Sequence, residues 1–389
     1  MTEPRNLLRF YVSCPPGLEP ALALEYHALN LVRCKRNPDQ DGDLKTAPGE
    51  EKGGMEFEGS FEDIFRCNLY LRSASRVSVR LGDFKAIGFA ELQKKASKLD
   101  WSIFLRPGQP IHVQAVCHKS RLYHSDAVAE RVAGAVNDHF SPSGLSCTQS
   151  DRGQLIQVRL VNDLCTISID SSGDLLHRRG YRQALAKAPL RENIAAGMIL
   201  LSEWDQSSPL IDPFCGSGTI PIEASLLASR IPPGLAREFQ FQTWPVFDPA
   251  EWQQIVAQAK GAIQAHSTEI RAYDRDQGAV EMAKANAARA GQKDAVQFAV
   301  QALSYLQPSH EAGWIITNPP YGIRTSTSRD LRDLYARFGA ILKERFKNWG
   351  LCMISSDDRL AANLGIGSPS KERSVSNGGI PVKIQQYKI

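Results

Sequence analysis

The chain has 389 residues, of which 42% are hydrophobic and 23% charged, with a formal net charge of +4 at neutral pH. That is enough apolar material for two or three packed domains, and no run of about 18 apolar residues is present to cross a membrane. Residues 1–11 lack the apolar core of a secretion signal, and the eight cysteines include no C-x-x-C pair, which argues against a zinc site or a disulfide framework and for reduced thiols in a cytoplasmic protein.

In chain order, residues 8–12 read as a strand, stopped by Pro15-Pro16-Gly17, and 18–29 as a helix with Leu18, Leu22 and Leu29 on one side. Residues 37–54, rich in Gly, Pro, Asp, Glu and Lys, cannot bury themselves and are expected to form a long mobile loop. A second block follows. Residues 77–81 and 111–116 alternate as half-buried strands, and Ser125 is the expected N-cap of an amphipathic helix through Phe140, on the spacing of Val128, Val132 and Val136. Residues 155–160 and 165–169 then read as a hairpin turning at Asn162-Asp163.

From about residue 190 strands and helices alternate: strand 210–212, helix 220–229, strand 270–273, helix 277–290 ended by Gly291, strands 296–300 and 314–317, helix 330–346, strand 351–354. This is the pattern of a parallel, doubly wound sheet. Asn377-Gly378 between residues 373–376 and 380–387 adds an antiparallel hairpin at one edge. Trp244 and Trp252, in an insertion between the first two sheet strands, read as core rather than as base-stacking groups. The expected division is 1–59, 60–173, a linker at 174–189, and 190–389.

Two runs carry chemistry. Asp212-Pro213-Phe214-Cys215-Gly216-Ser217-Gly218-Thr219 follows the first sheet strand, where doubly wound folds bind ligands. Gly216 and Gly218 allow a tight turn and close approach of backbone to a ligand, and the next helix can face an anionic group. The run has no lysine for a phosphate-binding loop, and Pro221 stands where a dinucleotide fingerprint needs its third glycine. Asp274, ending the second strand, can accept hydrogen bonds from ribose hydroxyls, while Asp276 is placed to cap the next helix.

The second run, Asn318-Pro319-Pro320-Tyr321-Gly322, follows the fourth strand. Two prolines fix the turn and supply no N–H. The Asn318 amide oxygen and the Pro319 carbonyl can both accept from an exocyclic NH₂ group, and Tyr321 offers a face to an extruded base. Together the two runs point to methyl transfer from S-adenosylmethionine (SAM) to a nucleobase amino group.

On these residues, the chain resembles the THUMP-domain guanine-N2 RNA methyltransferases, closest to the bacterial 23S rRNA branch. The resemblance also rests on residues 117–125, on Leu176-His177-Arg178-Arg179-Gly180-Tyr181-Arg182, on Ala188-Pro189-Leu190-Arg191-Glu192 and on Asn377-Gly378-Gly379-Ile380. It implies an α/β chain: a ferredoxin-like N-terminal region, a THUMP RNA-binding module, and a Rossmann-like class I SAM methyltransferase domain with a C-terminal antiparallel hairpin. It implies that Phe214, Gly216 and Gly218, within the loop 212–219, line SAM, that Asp274 holds its ribose, and that Asn318, Pro319 and Tyr321, with Pro320 shaping the turn, hold the guanine.

Three departures from the family pattern are visible. Ala302 stands where relatives carry an Asp for the adenine N6, Ile323-Arg324 replaces the usual Glu-Arg after the clamp, and the loop at 37–54 is long. Some longer relatives append a second methyltransferase domain; its activity is not expected here. The expected partner is structured RNA, rRNA or alternatively tRNA, with no metal and no membrane. Lys119, Arg121 and His124 at the THUMP-like helix start, Arg178, Arg179 and Arg182 around Tyr181, and Arg324 are the basic candidates for phosphate contact. Adenine-N6 methylation of DNA or RNA remains open, because the same clamp serves adenine, and so does a non-catalytic RNA-binding role.

Overall fold

The computed structural model describes residues 7–33, 50–51, 53–183, 190–321 and 328–389. The first half comprises β1 (Leu8–Ser13), α1 (Glu19–Ala28), β2 (Val32–Arg33), β3 (Glu50–Glu51), β4 (Gly54–Gly59), α2 (Phe61–Tyr70), β5 (Arg76–Lys85), α3 (Phe89–Ala96), β6 (Ile111–His118), α4 (Ser125–Phe140), β7 (Gln154–Val161) and β8 (Leu164–Asp170). All eight strands join one sheet in the order β2-β4-β1-β5-β8-β7-β6, with β3 on β4. The first two blocks therefore share a sheet: β5 pairs with β1 along one edge and with β8 along the other.

Most of the segment 37–54 lies outside the described residues. Its end is strand: Glu50 and Glu51 pair with Met55 and Gly54, and Gly54 opens β4. Strand β4 was hidden from the sequence by its Gly and Glu content, although its alternate residues Met55 and Phe57 are buried against the sheet. Helix α2 carried a readable signal, since Ser60 and Asp63 form a reciprocal capping box at its start. Ser125 is not the cap of α4. His124 holds the extended cap position without a side-chain bond, and Ser125 is already the first helical residue. The buried stripe Val128, Val132 and Val136 is as the spacing requires. Asn162 and Asp163 both have left-handed φ, the geometry of a tight two-residue hairpin turn.

The second half contains α5 (Glu192–Leu201), β9 (Leu210–Asp212), α6 (Thr219–Ala228), α7 (Pro249–Gly261), β10 (Ile270–Asp274), α8 (Gln277–Arg289), β11 (Gln297–Val300), β12 (Gly313–Thr317), α9 (Ser328–Arg345), β13 (Trp349–Ser355), α10 (Asp358–Ala362), β14 (Lys371–Asn377) and β15 (Ile380–Lys388). Its sheet runs β11-β10-β9-β12-β13-β15-β14. The first five strands are parallel, and β15 runs antiparallel to both its neighbours. This is the expected Rossmann-like sheet closed by a hairpin. The hairpin turn itself is Gly378-Gly379, because Asn377 still pairs with Ile380; a turn with positive φ at both central positions takes two glycines without strain.

The order of β9 at the centre, with β10 and β12 beside it, brings the carboxyl ends of all three strands to one place. The two halves are packed on one another. Ser376 N–H donates to the Pro16 carbonyl at 3.0 Å. Trp244 is buried edge-on against Phe104, with its indole N–H on Gln154 Oε1 at 3.0 Å, while Trp252 lies edge-on to Phe241. Both tryptophans thus belong to the core that joins the insertion to the first half.

Candidate functional site

The loop after β9 is tied on three sides by its own backbone and by its neighbours. Phe214 N–H and the Thr317 hydroxyl both donate to Asp212 Oδ1, at 3.1 and 2.6 Å, so this buried carboxyl joins the end of β9 to the end of β12. Cys215 N–H donates to the Tyr273 carbonyl at 2.9 Å, and Gly216 N–H to Asp274 Oδ2 at 3.0 Å. Gly216 (φ +52°) has open space where a Cβ would stand, and Gly218 (φ +84°) forms the N-cap of α6 packed against Ala283 and Phe298. A side chain at Gly218 would combine left-handed strain with contacts near 3.0 Å, whereas the face over Gly216 is free for a ligand.

Asp274 is half-buried, its other oxygen accepting from Asp276 N–H at 3.0 Å, and Asp276 caps α8 as its position suggests. Phe214 is half-buried, edge-on to Phe338. Ser217 and Thr219 are buried. Ala302 is exposed just beyond β11, next to Gln301, whose N–H holds the Asp274 carbonyl at 2.9 Å.

Burial pushes the Asp212 carboxyl up to about 7, against the hydrogen bonds from Thr317 and Phe214, with Asp274 adding repulsion. An unfolded Asp ionises near about 4. The folded state therefore holds the proton between these values, so this group's stabilisation is complete below about 4 and is lost as pH rises toward 7. Asp212→Asn removes the titration and keeps an acceptor for Phe214 and Thr317. Its thermal midpoint relative to the unsubstituted protein should rise by a few degrees between pH 4.5 and 8; parallel curves would show that Asp212 does not titrate there.

The clamp follows β12. Asn318 Oδ1 is buried and receives no hydrogen bond from any described group. A buried amide oxygen left without a donor costs free energy, so this atom is an acceptor awaiting a donor. Pro319 is buried and Pro320 half-buried. The half-buried Tyr321 hydrogen-bonds through its side chain to Asn377 at the hairpin turn, and burial pushes its phenol upward, so it stays protonated. Arg324 lies outside the described residues.

The basic candidates divide. Lys119, Arg121 and His124 are exposed, with the neighbouring Tyr123 ring uncovered and 4.1 Å from the His124 ring. Arg121 N–H is held by Asp163 Oδ1 at 2.6 Å, so the hairpin turn fixes this loop while the Arg121 side chain stays 70% exposed. Arg178 is exposed and paired with Asp174 at 3.2 Å.

Arg179 is not a surface group. It is 4% exposed, donates to the carbonyls of Leu176 and Arg72, and lies 3.6 Å from Glu223. Arg182 is likewise committed inward, to Glu192 Oε2 at 3.1 Å and the Leu190 carbonyl at 2.9 Å. Tyr181, which these arginines surround in sequence, is buried with its hydroxyl on Glu223 Oε1 at 3.1 Å. A basic run with an aromatic looks the same in sequence whether it faces RNA or joins two domains.

Three residues that organise the loop and the clamp went unread: Thr317, Asn286 and Arg289. Thr317 adjoins the clamp and could have been suspected. Nothing in the sequence marks Asn286, whose buried side-chain amide donates to the Ser217 carbonyl at 2.9 Å. Among the described residues, no group of three or more His, Cys, Asp or Glu is placed to hold a metal ion, and no helix is long and apolar enough to cross a membrane.

Comparison with known proteins adds to this geometry. Residues 179–386 match the model of the RMKL-like methyltransferase domain, 9–78 that of the RlmL ferredoxin-like domain and 88–170 that of the THUMP domain. The chain is 33% identical over 383 residues to the ribosomal RNA large subunit methyltransferase K/L of Aliivibrio salmonicida, covering 96% of this chain and 52% of that protein. It is 32% identical over 387 residues to slr0064, a candidate RNA methyltransferase of Synechocystis sp., covering 98% of this chain and 96% of the other. In structure it is similar to SMU.472, a methyltransferase candidate solved in complex with S-adenosylhomocysteine (SAH), with a TM-score of 0.86, 29% identity, and coverage of 100% and 99%. The chain spans about half the length of the K/L methyltransferases it matches.

Proposed function

Because the chain belongs to the RMKL-like methyltransferase family, preceded by ferredoxin-like and THUMP domains, we propose that it methylates the exocyclic N2 of a guanine in structured RNA, most simply 23S rRNA, using SAM. The single observation that carries this reading is Asn318 Oδ1, buried and without a partner among the described residues, beside the glycine loop's strand.

The residues fit the cofactor. The open face of Gly216 would admit it, the start of α6 would suit its carboxylate, and Asp274, held by two backbone N–H groups, would have lone pairs left for the ribose. When bound, SAM supplies an electrophilic methyl group. The chain's own contribution is to place the nucleophile. Guanine N2 carries a lone pair delocalised into the ring, and two acceptors, Asn318 Oδ1 and the Pro319 carbonyl, match its two N–H groups. Two acceptors that hold both protons against the methyl donor favour a more pyramidal nitrogen, with its lone pair localised and aimed, so no strong general base is required. Tyr321, steadied by Asn377, is positioned to stack on the extruded base. Held by the loop 212–219 and Asp274, SAM would supply its methyl group to this nitrogen with the thioether as leaving group, and one amino proton would pass to solvent.

RNA capture is assigned to the THUMP-like face, residues 60–173, through Lys119, Arg121, Tyr123 and His124, with Arg178 contributing from the junction. The reaction is placed in the cytoplasm, on rRNA or a ribosome-assembly intermediate. Replacing both Lys119 and Arg121 by Ala should weaken RNA binding and reduce the slope of log affinity against log salt by about 1.4, the value for two phosphate contacts to unpaired RNA. An unchanged slope would remove these residues from the interface. Arg179→Ala should not alter the slope.

The identity of the product tests the function itself. The protein is incubated with labelled SAM and RNA lacking its own modification, and the nucleosides are resolved by mass. N2-methylguanosine in the large rRNA supports the reading. The same product in tRNA keeps the chemistry and moves the substrate, whereas N6-methyladenosine overturns the choice of base.

A further inference from the structure

The cofactor loop is held by a closed circuit of hydrogen bonds that passes through the segment joining the two halves of the molecule. Arg289, at the last residue of α8, donates from Nε to the Tyr181 carbonyl at 2.7 Å and from Nη2 to Asn286 Oδ1. Asn286, fully buried, donates from Nδ2 to the Ser217 carbonyl at 2.9 Å. From Tyr181 the circuit continues through its hydroxyl to Glu223 Oε1 at 3.1 Å. Glu223 lies in α6, the helix that Gly218 caps directly after Ser217.

The direction of these bonds matters. An amide side chain can be turned over at almost no steric cost, exchanging its oxygen for its NH₂. A guanidinium has donors only. With Arg289 against one side of Asn286, the oxygen must face Arg289 and the NH₂ must face Ser217. Without Arg289 the buried Asn286 oxygen loses the donor that Arg289 supplies, and the Ser217 carbonyl is left to hold the amide in this orientation. The bond that fixes Ser217 between Gly216, open to the ligand, and Gly218, the cap of α6, would then be less firmly anchored.

We propose that Arg289 is a positioning residue for the cofactor loop, acting by fixing the orientation of the Asn286 amide, with Tyr181 of the interdomain junction holding Arg289 in place. The inference rests on the reading of residues 212–219 as the SAM loop. None of the three side chains needs to touch the ligand. Their effect is to keep the Ser217–Gly218 backbone in the conformation in which the open face of Gly216 and the start of α6 are presented to the cofactor.

SAH, which binds without reacting, is the probe. Its dissociation constant is measured by calorimetry for the unsubstituted protein, Arg289→Ala, Arg289→Lys, Asn286→Ala and the double alanine variant, each with its thermal midpoint. Arg289→Ala should bind about tenfold more weakly, as expected for losing a charge-assisted hydrogen bond. Arg289→Lys, which keeps donors and adds no acceptor, should recover most of the loss. The double variant should bind no more weakly than Asn286→Ala alone, since both act through one bond. Arg289 ends its helix on an exposed face, so its replacement leaves the fold intact even where Asn286→Ala does not. Arg289→Ala binding within about twofold of the unsubstituted protein overturns the inference, as do effects that multiply in the double variant. Failure of the unsubstituted protein to bind SAH would instead overturn the cofactor reading, and this inference with it.

Discussion

Asn318→Ala should lower methyl transfer by at least about 10²–10³-fold, the loss typical of removing one preorganised hydrogen-bonding group at a reacting centre. SAH affinity should stay within about twofold, a change worth well under 1 kcal/mol. The fold should not suffer. Asn318 Oδ1 satisfies no donor among the described residues, so deleting it removes a buried acceptor whose desolvation is not repaid within the protein. The thermal midpoint should therefore hold or rise slightly. Loss of activity without loss of stability is the signature of a group kept for its ligand. Asn318→Asp retains acceptor oxygens and should keep more turnover than the alanine variant. Single-turnover methylation alongside calorimetry and thermal denaturation reads all three effects. Turnover in Asn318→Ala above about a tenth of normal would leave less than about 1.4 kcal/mol for this side chain and would remove it from the clamp.

The sequence revealed the catalytic half more fully than the first half, for a physical reason. Parallel strands buried on both faces are short apolar runs, and here the central ones are punctuated by the Asp or Asn that the following loop requires: Asp212 ends β9, Asp274 ends β10, and Asn318 follows β12. The first half offers less contrast. Strand β4 carries glycines at both ends and half-exposed glutamates, and helices α2 and α3 are ten and eight residues long. The joining of both blocks into one sheet depends on β5 meeting β1, a pairing made by residues more than sixty positions apart, such as Phe10 and Val79. The candidate site's geometry was legible where it is built from backbone conformation, as in the left-handed turn at Gly216 and Gly218. It was not legible where it is built from partners. Arg178, Arg179 and Arg182 share one short run, and only burial separates the exposed Arg178 from the two that point inward. Asn286 looks like any polar residue of an exposed helix until its amide is seen on the Ser217 carbonyl.

That inward-facing charge sets the second large effect. Glu223→Ala should destabilise the protein by about 3–5 kcal/mol, the range for removing one partner of a buried ion pair. Glu223 is buried in α6, accepts from the Tyr181 hydroxyl, and lies 3.6 Å from the buried Arg179. Arg72, also buried, reaches the carbonyls of Leu226 and Ile231 at the end of the same helix, and the attraction of Glu223 opposes the desolvation that lowers its pKa. With Glu223 gone, two guanidinium groups share the region with backbone carbonyls and with Glu25, itself occupied by the N–H groups of Arg72 and Ser73. Glu223→Gln keeps an acceptor for Tyr181 and should cost less than Ala, which separates the hydrogen bond from the charge. The pair Arg179→Met with Glu223→Met should recover only part of the loss. Removing both charges relieves the imbalance, but the carbonyls of Leu176 and Arg72 then lose the donors that Arg179 supplied. Denaturant unfolding followed separately by tryptophan fluorescence and by circular dichroism measures the series, because a chain of several domains need not unfold in one step. A loss below about 1 kcal/mol for Glu223→Ala would mean that backbone carbonyls suffice for Arg72 and Arg179, and that the junction is held by packing rather than by charge.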